Sequence, residues 1–224
     1  MNNLYIFWII YFASYSLNAQ NLVDSDGMRQ GKWSKDYPWG TKRYEGSFLD
    51  DKEVGIFRFY DQNGKLISQR NYQSTDDISD ALLFLPNGEI EAKGRYKGKD
   101  KIGKWEYYNS RGFLVSTEFY LSGIKDGLET VFYPDSIVAE KVNWKNGLKN
   151  GIWEEYDSSG KLDLKANHVN GKLNGGYVRY YSSGRKRIVG NYKMGLKHGE
   201  WTYYNPNGLT DKKEIYELDD LISD

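Results

Sequence analysis

The chain has 224 residues, among them 24 Gly, 20 Tyr and 7 Trp, but only 4 Pro and no Cys. The lack of Cys excludes disulfides, thiolate metal sites and a cysteine nucleophile. Because 31 Lys plus Arg balance 31 Asp plus Glu, nucleic acid is not an expected partner. Glycine suits turns and tyrosine suits half-buried strands, so this composition predicts many short strands and little helix.

The first predicted element is a signal peptide at residues 1–19. This segment carries no charged side chain and is strongly apolar from Leu4 to Leu17. It is shorter than the roughly 20 apolar residues that span a bilayer, so cleavage after Ala19 is favoured over the alternative of an uncleaved anchor. We therefore expect an exported protein (periplasmic, cell-envelope or secreted).

Residues 20–30 are predicted to be a linker between the signal peptide and the rest of the chain. Within it, Asp24-Ser25-Asp26-Gly27 is similar to the opening of a calcium-binding loop. The later ligands of such a loop, including a Glu at its twelfth position, are missing. We therefore predict no metal site here.

From residue 31 onward the chain repeats every 24 residues. Stepping by 24 from Gly31 gives glycine at every position but one, where Ser79 replaces it. A second glycine ladder lies nine residues later, and ring-bearing slots lie five and seventeen residues after the first glycine. Such self-similarity is typical of repeat proteins. The predicted array covers residues 31–222, with units starting near residues 31, 55, 79, 103, 127, 151, 175 and 199.

Each unit has the pattern of a β-hairpin. In the fourth unit, two strand-like segments, Lys104 to Tyr108 and Phe113 to Tyr120, flank a four-residue turn. Four-residue hairpin loops often end in a residue with positive φ, which glycine adopts without a Cβ penalty. The second connection, such as Lys145 to Gly151, predicts a longer loop. The structural turn glycines assigned in this way are Gly64, Gly88, Gly112, Gly160, Gly184 and Gly208.

Strand alternation places Trp105 and Tyr107 on one face and Tyr108 on the other. A lone hairpin is marginally stable in water, so each unit must pack on the next. The predicted fold is therefore all-β: tandem β-hairpin repeats of 24 residues that form one elongated, twisted antiparallel sheet of about sixteen strands. The third unit, which has Ser79 in place of glycine, is expected to bulge or kink the ribbon.

Two stretches, Trp144 to Trp153 and Tyr192 to Trp201, resemble the MORN repeat in its bacterial variant form. The resemblance extends over most of residues 31–216 and implies an elongated sheet of hairpins. For function it implies a scaffold that binds proteins or lies at membranes. Bacterial arrays of this type are often catalogued as antitoxin components of toxin–antitoxin systems. The chain departs from the pattern at Ser79, Ala81, Glu129 and Ser136.

The sequence does not predict an enzyme, and it gives no catalytic residue, cofactor or metal ligand. A hydrolytic triad needs a base beside a nucleophile, and the chain has only two histidines. His168 occupies a slot that holds Tyr, Phe or Trp in the other units, so it is interpreted as a packing ring. His198 occupies a position where other units have Asn, so it is interpreted as a solvated loop residue.

The leading hypothesis is a non-catalytic repeat scaffold that binds a protein partner at or beyond the cell envelope. Aromatic side chains suit such contacts because they offer a large area at low entropic cost. An envelope glycan that stacks on the rings of Trp105, Trp153 and Trp201 is the alternative. A membrane surface is not supported by the zero net charge. The candidate partner-binding aromatics are Trp105, Tyr107, Trp153, Tyr177, Trp201 and Tyr203.

Overall fold

The computed structural model describes residues 20–73 and 76–223, and all regular structure in these ranges is β-strand. The signal peptide predicted at residues 1–19 lies outside the described residues. The strands are β1 Leu22–Val23, β2 Arg29–Asp36, β3 Lys42–Leu49, β4 Lys52–Tyr60, β5 Leu66–Tyr72, β6 Ile78–Phe84, β7 Ile90–Lys97, β8 Asp100–Tyr108, β9 Leu114–Leu121, β10 Ile124–Lys125, β11 Gly127–Phe132, β12 Val138–Lys145, β13 Leu148–Tyr156, β14 Leu162–Val169, β15 Lys172–Tyr180, β16 Lys186–Lys193, β17 Leu196–Tyr204, β18 Thr210–Glu217 and β19 Asp220–Ser223.

The strands form one open antiparallel sheet of 19 strands in chain order. Each strand pairs with the next, except that β10 and β11 both pair with β9. The predicted hairpin-repeat fold is confirmed. Three strands exceed the expected sixteen: β1, which lies in the segment predicted as linker, the terminal β19, and the extra piece made by the break between β10 and β11. In the described ranges, no helix is long and apolar enough to cross a membrane.

Four-residue turns line one long edge of the sheet. In the fourth unit the amide of Gly112 donates to the carbonyl of Asn109 at 2.9 Å, and Gly112 has a φ of 78°. The other five structural turn glycines also have positive φ, between 80° and 88°. An L-residue with a Cβ rarely adopts this backbone region, which is why glycine recurs there.

Two-residue turns line the other long edge except between β5 and β6, so the longer loop predicted from Lys145 to Gly151 is wrong. Lys145 pairs directly with Leu148. The residues between them, Asn146 and Gly147, have φ values of 50° and 78°. Positive φ at both central positions is the pattern of a type I′ turn, whose twist matches that of the strands it joins.

Five glycines of the first ladder lie in β-bulges inside strands: Gly55, Gly103, Gly151, Gly175 and Gly199. Gly151, with a φ of 112°, falls between the paired residues Lys149 and Trp153, while the partner strand has only Asn143 in the matching interval. The Asn143 side-chain amide donates to the carbonyl of Ile152 at 3.0 Å. The side chain thus satisfies a backbone group that the bulge removes from the ladder.

The third unit is more regular than its neighbours, contrary to expectation. Strands β5 and β6 pair without a register shift, from Ser68 opposite Leu83 to Tyr72 opposite Ser79. The bulge in the other units needs a residue with positive φ, so glycine in this slot is what permits the register shift. Ser79 in the same slot therefore gives continuous pairing, and the predicted bulge or kink is wrong over the described part of this unit.

Successive four-residue turns alternate between two chemistries, so the structural period is 48 residues. In even units the first turn residue is Asp or Asn and caps its own turn, as when Asn109 Oδ1 accepts from the amides of Arg111 and Phe113. In odd units a tyrosine often takes this place and reaches the next unit. These tyrosine hydroxyls donate to backbone carbonyls: Tyr37 to Tyr60, Tyr133 to Tyr156 and Tyr181 to Tyr204.

Candidate functional site

The six candidate aromatics lie on one face of the sheet, which we call the aromatic face. It is defined by the row of side chains two residues after the first-ladder glycines, which includes the rings of Trp33, Phe57, Trp105, Trp153, Tyr177 and Trp201. Rings of neighbouring units touch each other, as when the Tyr177 and Trp201 ring centroids lie 5.5 Å apart. The opposite face, which we call the open face, carries Ile56, Lys104, Phe119, Leu128 and Ile152.

Trp105 is the most deeply buried ring of the aromatic face. Its indole packs flat over Gly94 of the preceding strand, where an added Cβ would lie 2.4 Å from Trp105 Cδ2. The indole N–H donates to the carbonyl of Arg95 at 3.2 Å, and Tyr96 makes an edge contact at 4.9 Å between centroids. Phe57 over Gly46 and Trp201 over Gly190 repeat this arrangement.

The glycines beneath these rings are sites that the sequence reasoning missed. Gly46, Gly94 and Gly190 share one repeat position, which holds Val142 in the fifth unit. A signal was present, because small residues at this position recur every 48 residues, in step with the large rings. A search limited to the 24-residue period misses this signal, because it combines units that differ at this position.

The expectation of exposed tryptophan rings is wrong for Trp105 and Trp201, which are 0% and 2% exposed. Trp153, Tyr107, Tyr177 and Tyr203 are half-buried. A ring stacks on a sugar or a partner only through a free ring face. The two most buried tryptophans therefore hold the sheet together and do not form a binding surface.

A lysine covers the rings of the fourth unit. Lys101 Nζ lies 4.6 Å from the Trp105 ring centroid and donates to the Tyr107 hydroxyl at 2.7 Å. The Tyr107 and Tyr120 hydroxyls are 3.3 Å apart, and Tyr120 donates to Glu118. Burial lowers the pKa of Lys101. The Lys101 ammonium already contacts rings and hydroxyls of its own chain, so this cluster covers the aromatic face at the fourth unit.

The eighth unit repeats this cluster with the same residue types. Lys197 Nζ lies 4.7 Å from the Trp201 ring centroid and 3.4 Å from both the Tyr203 and Tyr216 hydroxyls. Tyr216 donates to Glu214 at 2.9 Å. Burial raises the pKa of Tyr203. The same arrangement of lysine, tryptophan, tyrosine hydroxyls and glutamate therefore packs the aromatic face in both units.

The two histidines differ in their surroundings. His168 is 7% exposed, its ring centroid lies 5.3 Å from that of Trp153, and its buried Nδ1 has no hydrogen-bond partner. Burial, and then the nearby charge of Lys149, lowers the pKa of His168. His198 lies within β17, so its predicted loop position is wrong. Its Nδ1 lies 3.4 Å from Glu217 Oε2.

The open face combines ion pairs with exposed apolar side chains. Lys93 and Lys104 both lie 2.8 Å from the Glu106 carboxylate. Hydrogen bonds from Lys104, Lys93 and Tyr108 lower the pKa of Glu106 to about 2. Ile56, Phe119, Leu128 and Ile152 are exposed on the same face. Exposed apolar side chains such as these are candidates for contact with a partner.

The described residues contain no group of three or more His, Asp or Glu side chains placed to hold a metal ion. In the segment that is similar to a calcium-binding loop, Asp24 Oδ1 accepts from the amides of Asp26 and Met28. Its Oδ2 accepts from Gln30 at 2.7 Å. This carboxylate therefore caps a hairpin turn.

The fold and the two faces define a repeat protein of stacked β-hairpins. Four segments match the model of the MORN repeat variant, namely residues 53–74, 125–146, 149–170 and 197–209. The chain is similar to the MORN repeat variant in these segments, and the structure continues the same hairpin period between them. No curated protein sequence matches the chain.

Among solved structures, the chain is similar to a mutant of S. aureus TarM in complex with fondaparinux, alpha-GlcNAc-glycerol and UDP. The two are 14% identical, and the match covers 43% of this chain and 19% of that chain. The TM-score is 0.33. A match of this size carries no argument about fold or function.

Proposed function

We propose that this chain is a non-catalytic repeat scaffold that binds a protein partner through its open face, at or beyond the cell envelope. One observation carries the proposal: the sheet covers one face with its own rings and leaves exposed apolar side chains on the other. Ile56, Leu128 and Ile152 of the open face are each more than a third exposed. Burial of such side chains by a partner is favourable.

The chemistry of the aromatic face favours structure over binding or catalysis. Its lysines and tyrosines are engaged with one another, as in the pair of Lys101 and Tyr107. A sugar would need free ring faces, which Trp105 and Trp201 lack. These observations favour a protein partner over a glycan. The envelope location depends on the apolar residues 1–19, which have the pattern of an export signal.

Site-specific photo-crosslinking of the full chain in the cells that produce it tests the function. The photoreactive residue replaces Ile152 or Phe119 on the open face, and Asn207 in a four-residue turn is the matched control. We expect one protein adduct from the open-face positions and none from the control, in an envelope or extracellular fraction. Mass spectrometry of the mature N-terminus tests cleavage after Ala19.

Three results would contradict the proposal. The first is no protein adduct from any position on either face. The second is labelling that free sugar competes away, which would favour the glycan alternative. The third is recovery of the intact chain and its adduct only from the cytosol, which would remove the envelope location.

A further inference from the structure

A continuous strip of apolar and lysine side chains follows the two-residue turns on the open face. We call it the basic edge strip. Four of its members are apolar and between 39% and 52% exposed, and the other three are exposed lysines. The strip crosses the sheet from β10 to β17. Its members are Ile124, Lys145, Leu148, Val169, Lys172, Lys193 and Leu196.

Strand pairing places all seven side chains on the open face. Lys145 is directly opposite Leu148, Val169 is opposite Lys172, and Lys193 is opposite Leu196. The pairs next to them, such as Trp144 with Lys149, carry side chains of the aromatic face. Directly opposite residues share a face and neighbouring residues alternate, so the assignment to the open face follows.

The strip is continuous from one unit to the next. A Cβ added at Gly147 would lie 3.3 Å from Ile124 Cγ2, and one added at Gly171 would lie 3.8 Å from Leu148 Cδ2. Ile124 and Leu148 thus each lie beside the turn of the following unit. The exposed apolar members form a connected groove edge and are not isolated side chains.

The lysines of the strip are available to a partner. Among the described residues, Lys145, Lys172 and Lys193 form no ion pair within 4.0 Å. At one end of the strip Asp126 accepts from the amide of Asn146, and at the other end Glu217 Oε2 lies 3.4 Å from His198 Nδ1. Three unpaired cations beside apolar groups are complementary to an acidic, apolar partner.

The repeat spacing and the sheet twist indicate the shape of that partner. Adjacent units are two strands apart, which corresponds to about 9.6 Å. An extended segment in the polyproline II conformation advances about 9.3 Å every three residues. Strands twist by roughly 20–25° each, so the strip turns by more than about 100° between β10 and β17. A flat bilayer cannot contact all of it, whereas an extended chain can follow it.

We infer that the basic edge strip binds an extended, acidic protein segment with an apolar side chain at every third position. This inference rests on the proposed scaffold function and names the surface and the partner chemistry. Apolar side chains of the segment contact Ile124, Leu148, Val169 and Leu196, one in each of four successive units. Its carboxylates pair with Lys145, Lys172 and Lys193.

Fluorescence anisotropy with designed peptides and the full chain tests the inference. The main probe is a peptide of about 12 residues that repeats Leu-Pro-Glu, enough to follow the strip at about 3.1 Å per residue. The comparison peptides repeat Leu-Pro-Lys, or have the Leu-Pro-Glu composition with the leucines clustered. Phosphatidylglycerol vesicles are the membrane probe. The variants are Leu148→Ser and Lys172→Glu, with Leu49→Ser and Lys52→Glu as matched controls at the equivalent turn of the first unit.

We expect saturable, salt-sensitive binding of the Leu-Pro-Glu peptide only. Leu148→Ser and Lys172→Glu should each weaken it by about tenfold or more, which corresponds to about 1.4 kcal/mol. Lys172→Glu should also improve binding of the Leu-Pro-Lys peptide, a change that a purely structural role of Lys172 would not cause. The two control variants should bind as the unmodified chain does.

Several results would overturn the inference. These are no saturable binding of the Leu-Pro-Glu peptide, equal binding of the clustered or basic peptide, or tight vesicle binding that depends on Leu148 while the peptide does not bind. If peptide binding fails but Ile152 still crosslinks to a protein in cells, the scaffold function stands and only the strip is wrong. If crosslinking fails as well, the scaffold function fails too.

Discussion

Replacing Gly94 with alanine tests whether ring-over-glycine packing holds the units together. The added Cβ would lie 2.4 to 2.7 Å from three indole atoms of Trp105. Trp105 is fully buried and its N–H is bonded to Arg95. The indole must therefore move by about 1 Å or more to restore ordinary van der Waals contact at 3.5–4.0 Å.

The expected cost follows from two opposing effects. Overpacking of a well-packed core costs about 1–3 kcal/mol. Replacement of glycine by alanine restricts the unfolded chain and stabilises the fold by about 0.4–1 kcal/mol. We therefore expect Gly94→Ala to lower the free energy of unfolding by about 1–2 kcal/mol. A Trp105 ring that leaves its site entirely would lose a further 1.5–3 kcal/mol or so.

Gly176→Ala is the matched control, because Gly176 lies in a strand without positive φ and its nearest side-chain atom is 4.0 Å from an added Cβ. It should leave stability unchanged or raise it. Urea unfolding followed by tryptophan fluorescence compares both variants with the unmodified chain, and hydrogen exchange of β7 and β8 locates the loss, since repeat arrays can unfold in parts. A Gly94→Ala chain as stable as the Gly176→Ala chain would refute the reasoning.

Three further changes test the turns and the titrating groups. Gly112→Val should lower stability by about 1 kcal/mol or more, because valine is strained at a φ of 78°; an unchanged melting temperature would contradict the turn assignment. His168 has a folded pKa below 6.5 because of burial, so its neutral form is favoured, and stability should fall as pH drops below 6.5. His168→Tyr should remove that fall, and thermal melting from pH 8 to 5 compares the two chains. Glu106, with a folded pKa of about 2, stabilises above pH 4.5, and this contribution is lost as pH falls toward 2; Glu106→Gln should cost about 1 kcal/mol at pH 7 by urea unfolding and flatten this dependence.

The sequence was sufficient to predict the hairpin-repeat fold because its signals are local. Glycine at a fixed interval marks backbone positions with positive φ, and alternation assigns neighbouring side chains to faces. Gly112 could be placed at a turn from the four residues around it. Trp105 and Tyr107 could be placed on one face from strand alternation alone.

Local signals were not sufficient to tell a bulge from a loop. Gly151 and its neighbours have the composition of a connection, yet this glycine lies inside β13. The difference depends on Asn143 of the partner strand, which bonds the carbonyl beside the bulge. Ser79 shows the converse. Serine stands there where other units have glycine, and β5 and β6 pair without a register shift.

By itself, the sequence determined the period, the turn glycines and the ring-bearing face, because each depends on residues close together in the chain. Only the tertiary structure decided which rings are buried and which surface is left free. Trp105 is hidden because Gly94, on another strand, lets it lie flat. Lys145, Lys172 and Lys193 form one strip because the stacking of units brings distant turns together. Burial and continuity of a surface depend on neighbours across strands, and a single segment does not contain that information.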